Sequence, residues 1–186
     1  MNRPGLYALG CALLAIGLVT APIATTAQSA PMAAPTPVPI SHPDFTSMKF
    51  LLGTWMCTQP LRGGTRPETD VYSMTMDGMW MLEQSTAPPF DQYRTVAQNG
   101  MNYTGYDPSS KQWVSLGVDS LGGFGTSTSP GFQGNVITWT TKNLDGSSGT
   151  DITTKVSDNM TTDQSTSTDP QGHASTVTIT CKKSAM

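Results

Sequence analysis

The sequence predicts an all-β protein: a closed, antiparallel, up-and-down barrel of about ten strands, entered through a short N-terminal helical turn. Three observations predict it. Charged residues make up only 12% of the 186-residue chain, about half the usual share. Serine, threonine and glycine take their place, which suits solvent-facing strand positions and tight turns better than helix surfaces. From Gly53 onward, short segments rich in β-branched and aromatic residues alternate with turn signals at Asp77-Gly78, Asp107-Pro108, Gly122-Gly123, Asp145-Gly146 and Pro170-Gln171-Gly172. Finally, beyond residue 27 the chain holds two cysteines, Cys57 in the first predicted strand and Cys181 in the last. Bridging them requires Cα atoms within about 7 Å, and a meander closed into a barrel makes its first and last strands neighbours.

Taken in order, residues 1–27 read as a cleavable signal peptide. Arg3 precedes an uncharged run from Leu6 to Val19, and small residues lead to a cut after Ala27. The run is shorter than the roughly 18 residues of a spanning helix, so no stable membrane anchor is expected, and the mature protein is expected to be periplasmic or secreted. Leu9-Gly10-Cys11 looks like a lipobox but lies inside the apolar run rather than after it. Residues 28–43 carry five prolines among alanine, serine and threonine, the composition of a disordered tether. Asp44 to Leu52 is the one helical turn expected after the leader. Phe45, Met48 and Leu52 share a helix face there and suit a plug for one end of the barrel. Strands are expected at 53–59, 69–77, 79–86, 93–106, 111–119, 122–128, 135–141, 149–156, 160–168 and 174–182, giving one barrel domain over residues 44–183.

Composition also excludes functions. The formal net charge is −3, and no basic patch offers phosphates a footing, so nucleic acid is not an expected partner. The two histidines are His42 in the tether and His173 in a predicted turn, which leaves haem without an axial ligand and zinc without its usual set. No cofactor is expected. No Gly-x-Ser-x-Gly elbow or convincing triad is present.

Four motifs carry a family resemblance: Phe50-Leu51-Leu52-Gly53-Thr54-Trp55, Asp77-Gly78-Met79-Trp80, Gly105-Tyr106-Asp107-Pro108, and Trp113 to Asp119-Ser120. In order and spacing they resemble a bacterial family known as domain of unknown function 1579. Its members are similar to the calycins, the lipocalin-like and nitrobindin-like barrels. The resemblance covers about residues 44–183 and implies a calycin-like barrel with a central apolar cavity, but no catalytic residues. It also suggests Trp55 as the tryptophan that closes such barrels. Gly53-Thr54-Trp55-Met56-Cys57 departs from the haem-binding pattern of nitrobindin-like members.

The candidate site lies on the hairpin at Asp77-Gly78, the strongest two-residue turn signal in the chain. With that turn, Met76 faces Met79, Met74 faces Met81, and Tyr72 faces Glu83 on one side of the sheet. The other side, with Ser73, Thr75, Leu82, Gln84 and Trp80, is more polar, so the methionine side is expected to point inward. Tyr72, Met74, Met76, Met79, Met81 and Glu83 are thus candidate ligand contacts, joined by Trp113 and Asp119. Each has a second reading: methionines as adaptable filling of an irregular interior, Trp55, Trp80, Trp113 and Trp139 as core, and Asp119 as a turn cap.

The leading expectation is an exported lipocalin-like barrel that binds a small apolar molecule and performs no catalysis. Two alternatives stand beside it. One is a Cu(I)-binding protein using Met74, Met76, Met79 and Met81, because thioether sulfur selects that ion. The other is an enzyme working on a hydrophobic substrate inside the barrel, with Asp119 or Glu83 as acid or base.

Overall fold

The computed structural model describes residues 42–61, 64–92, 94–143 and 146–185. The expected signal peptide, and all of the tether but its last two residues, lie outside them. Threonine and other β-branched residues favour a pleated, half-buried backbone, and between Gly53 and Lys183 they form ten strands. These are β1 (Gly53–Leu61), β2 (Gly64–Thr75), β3 (Trp80–Ala87), β4 (Gln98–Asp107), β5 (Gln112–Asp119), β6 (Phe124–Ser129), β7 (Val136–Lys142), β8 (Ser148–Ser157), β9 (Met160–Thr168) and β10 (Ala174–Lys183). Successive strands pair antiparallel, and β1 pairs with β10, so the sheet closes in the order β1-β10-β9-β8-β7-β6-β5-β4-β3-β2. The expected up-and-down barrel is the observed one.

A covalent bond seals the closure. Cys57 lies directly opposite Cys181 in the β1–β10 register, and their sulfurs form a disulfide across 124 residues of chain. A loop of that length makes the bond worth about 5 kcal/mol on the chain-entropy model. Such bonds persist in oxidising compartments.

Strand starts agree with expectation to within two residues except at β2 and β4, each displaced by five. β2 starts at Gly64, not residue 69, and runs through Pro67. That proline faces Thr58 of β1, whereas pairing with β3 starts only at Thr69. A residue without an N–H is tolerated where a strand has one neighbour. β4 starts at Gln98, not residue 93, because the preceding chain folds into a turn. There the Phe90 N–H donates to the Arg94 carbonyl at 2.9 Å, and an Asp91–Arg94 ion pair closes at 2.8 Å.

The expected helical turn is a 3-10 helix, Thr46–Leu51. Three residues per turn rather than 3.6 align Phe45, Met48 and Leu51, so Leu51 takes the place expected of Leu52. Phe45 and Met48 enter one end of the barrel and form its core with Met81, Trp113 and Ile137. The helix is tied down at both edges of the closure. Trp55 Nε1 donates to the Leu51 carbonyl at 2.6 Å, and Lys183 Nζ to the Phe50 carbonyl at 2.7 Å.

The connection between β2 and β3 corrects the expected two-residue hairpin. β2 ends at Thr75, β3 begins at Trp80, and Met76–Gly78 form a single 3-10 turn with φ of 50° at Met76 and 55° at Asp77. Lengthening a loop by one residue on each side preserves the register, so Met74 still faces Met81 and Tyr72 still faces Glu83. A left-handed backbone, however, takes Met76 out of the extended ladder, and Met79 leaves with it. Met81 is buried, while Met74 is 37% and Met76 61% exposed. The expected single patch of four inward thioethers does not form.

Candidate functional site

Side chains two apart on a strand share a face, and the register carries the inward set around the barrel from Cys57 and Cys181. Through β2 it includes Glu68, Asp70 and Tyr72, through β3 Met81 and Glu83, through β4 Asn102, through β8 Asp151 and through β9 Asp163. These residues line a chamber of about 240 Å³ beneath the helical plug. Met48, Leu51, Phe132, Ile137 and Trp139 supply apolar wall, and five carboxylates, Glu68, Asp70, Glu83, Asp151 and Asp163, supply acidic wall. Among the described residues no lysine, arginine or histidine lines it.

Glu68, Glu83 and Asn102 also border a wider vestibule of about 680 Å³, whose walls include Gly100, Gly117, Gly125, Asn143 and Asp119. The inward glycines keep that entrance wide. A methyl group added at Gly125 would come within 2.7 Å of Asn143 Oδ1.

The carboxylates differ in how they are held. Tyr72 Oη donates to Glu83 Oε1 at 2.8 Å, and Asn102 Nδ2 to Glu83 Oε2 at 3.2 Å. Burial pushes the Glu83 pKa up, and these two hydrogen bonds pull against it. Burial and the charge of Glu83 raise Glu68, with Arg66 opposing. Arg66 itself is committed elsewhere, donating to the Pro88 carbonyl and to Gln98 Oε1. Burial, then Asp151 and Glu83, raise Asp163 to about 7.

Asp70 stands apart. It is 6% exposed, and its Oδ1 has no hydrogen-bond partner. Its Oδ2 lies 2.9 Å from Cys57 Sγ, which has no proton to give because it is bonded to Cys181. Burial, then the charges of Glu83, Glu68 and Asp163, raise Asp70 to about 8. Cys57, Asp70 and Cys181 also form the one tight group of three potential metal ligands among the described residues. With the sulfurs joined, that group offers a single carboxylate.

The chain matches no known family model and no curated protein.

Of the expected contacts, Tyr72, Met81 and Glu83 line the chamber, and Asp119 lines the vestibule. Asp119 also caps its turn, its Oδ1 accepting the N–H groups of Leu121 at 2.8 Å and Gly123 at 2.9 Å. Trp113 packs between Phe45, at 4.9 Å between ring centroids, and Tyr106, at 5.4 Å. Trp139 takes the wall position instead. Met74, Met76 and Met79 are not brought to the chamber wall. His173 bonds Asp169 in the turn between β9 and β10.

Sequence reasoning missed Glu68, Asp70, Asn102, Asp151 and Asp163. For two of them a signal was present, because Asp70 and Glu68 lie two and four residues before Tyr72 and must share its face. Asp151 had no such signal. The apolar residues of β8, Ile152 and Val156, take the outward positions, so hydrophobic alternation points the wrong way there.

Proposed function

We propose that this protein is an exported carrier that holds a small molecule in the lumen of its barrel and performs no chemistry on it. The observation that carries the reading is the chamber under the plug, lined by both apolar and acidic side chains and reached by a glycine-lined way in. Enclosed, mostly pre-formed cavities with a few convergent polar groups are the usual form of small-molecule sites. The leader-like residues 1–27 and the Cys57–Cys181 bond support an extracytoplasmic setting, periplasmic or secreted. The motif resemblance to the calycin-like family supports the same use of the lumen. The ligand's apolar body would lie against Met48, Leu51, Phe132, Ile137 and Trp139.

Native mass spectrometry of protein taken from its own compartment tests the reading. The expected result is a small-molecule adduct that disappears in Ile137→Trp, which fills the chamber. A wild-type barrel that carries no adduct, and takes none up from an extract of its own cells, would overturn it. One observation favours a second reading: Glu83 is a buried carboxylate with a raised pKa beside an open vestibule, the setting of a general acid. Turnover of the bound molecule that stops in Glu83→Gln would make the barrel an enzyme.

A further inference from the structure

We propose that the chamber selects an organic cation: an ammonium group on a small apolar body, with the ammonium against Asp70 and the body against Trp139. This names the ligand class of the lumen carrier and rests on that reading.

The acidic wall alone does not carry the inference. Asp70 does, because it is buried, faces the chamber, and has an oxygen with no donor. Buried polar atoms in folded proteins are almost always partnered, and a buried carboxyl oxygen without a partner is costly even when the group stays protonated. Asp163 Oδ1, on the same wall, is likewise without a partner. Two orphan acceptors facing one chamber call for a donor that arrives with the ligand. An ammonium group brings several N–H donors and a charge, and charge-assisted bonds to carboxylate are the strongest of their kind.

Size and surroundings narrow the class. A bare metal ion needs its oxygen ligands gathered at about 2.0 to 2.6 Å. Among the described residues no three of these carboxylates come within 4.8 Å of one another, so the wall suits a larger cation that reaches separate acceptors. The apolar lining of Met48, Leu51, Phe132, Ile137 and Trp139 suits a hydrocarbon body, and Trp139, cross-strand from Asp151, adds the attraction of a tryptophan face for a cation. An anion would meet five carboxylates with no lining cation, and a neutral apolar molecule would leave Asp70 as it is.

Uptake is also coupled to protons. The groups around Asp70 are Glu68 and Tyr72 on its own strand, Ser85 and Glu83 on β3, Trp55 and Cys57 on β1, and Asp163 on β9, with Asp151 on β8 beyond them. None is basic. The empty chamber keeps a proton on Asp70 up to about pH 8, and an arriving ammonium displaces it, so affinity rises as pH rises toward that value.

Calorimetry with 2-phenylethylammonium, 2-phenylethanol and phenylacetate, which share a ring and differ in charge, tests this on the mature oxidised protein. The expected result is that the ammonium binds at least tenfold more tightly than the other two, releases protons, and loses at least tenfold in Asp70→Asn. Asp163→Asn provides a second variant, with a smaller loss. Equal or tighter binding of the alcohol or the acid overturns the cation and leaves the carrier standing. Binding of none of the three also overturns the cation, and the carrier then falls only if native mass spectrometry finds no adduct.

Discussion

Replacing Asp70 with asparagine tests the electrostatics of the chamber with no ligand present. In the fold its carboxyl holds a proton up to about pH 8, against an ordinary value of 3.8. Between those values the unfolded chain has released the proton and the folded chain keeps it. The folded state therefore binds more protons, and stability falls as pH rises through that window. The slope is about 1.4 kcal/mol per pH unit, which accumulates to about 6 kcal/mol at pH 8 and disappears below about pH 4, where both states are protonated. Asparagine has nearly the same shape and no charge to expel. Asp70→Asn is thus expected to match the wild type near pH 4 and to exceed it by several kcal/mol at pH 8. Urea unfolding followed by circular dichroism at pH 4, 6 and 8, with the disulfide intact, measures this directly. Asp163, raised to about 7, adds a second downward slope that ends one pH unit earlier and survives in the variant. A wild-type stability that is flat or rising from pH 5 to 8, or an Asp70→Asn variant equally destabilised at both ends, would refute the reasoning. Either result would mean that the carboxylate has a native partner.

Three further outcomes follow from the geometry. Removing the Cys57–Cys181 bond, by reduction or by replacing both residues with alanine, should lower unfolding stability by about 5 kcal/mol, read from the urea midpoint; an unchanged midpoint would show that strand pairing alone holds the closure. Met81→Ala should cost about 2 to 5 kcal/mol, as for a buried core side chain, whereas Met76→Ala in the exposed turn should stay within about 0.5 kcal/mol. Equal costs would restore the single methionine patch that the turn geometry denies. Asp119→Ala removes the acceptor of two backbone N–H groups and should cost about 1 to 2 kcal/mol of stability. Ligand loss beyond that effect in a binding titration would make Asp119 a contact rather than a cap.

The comparison of elements shows where local chemistry was sufficient. Turn residues and β-branched segments marked ten strands, and the observed barrel has ten. The pairing of Met74 with Met81 survived an error in the turn, because adding one residue on each side of a loop leaves the outer register unchanged. β4 starts later than the alternation suggests because Phe90 bonds back to the Arg94 carbonyl and Asp91 pairs with Arg94, contacts that leave no periodic trace. The helical plug was found, but its 3-10 pitch, and so Leu51 in place of Leu52, was not.

The sequence by itself determined the strand count, the antiparallel order and the two cysteines that meet. Each follows from alternation, turn conformation and chain topology, which act over a few residues or along the whole chain in order. Only the tertiary structure decided what the lumen is made of. Asp70 meets Cys57 from thirteen residues away, and Asp163 reaches the same wall from the far side of the chain. Serine and threonine occupy both faces of the later strands, so no hydrophobic pattern states which acids point inward. Whether a buried carboxylate has a partner is a property of the closed surface around it, and that surface exists only once β1 has met β10.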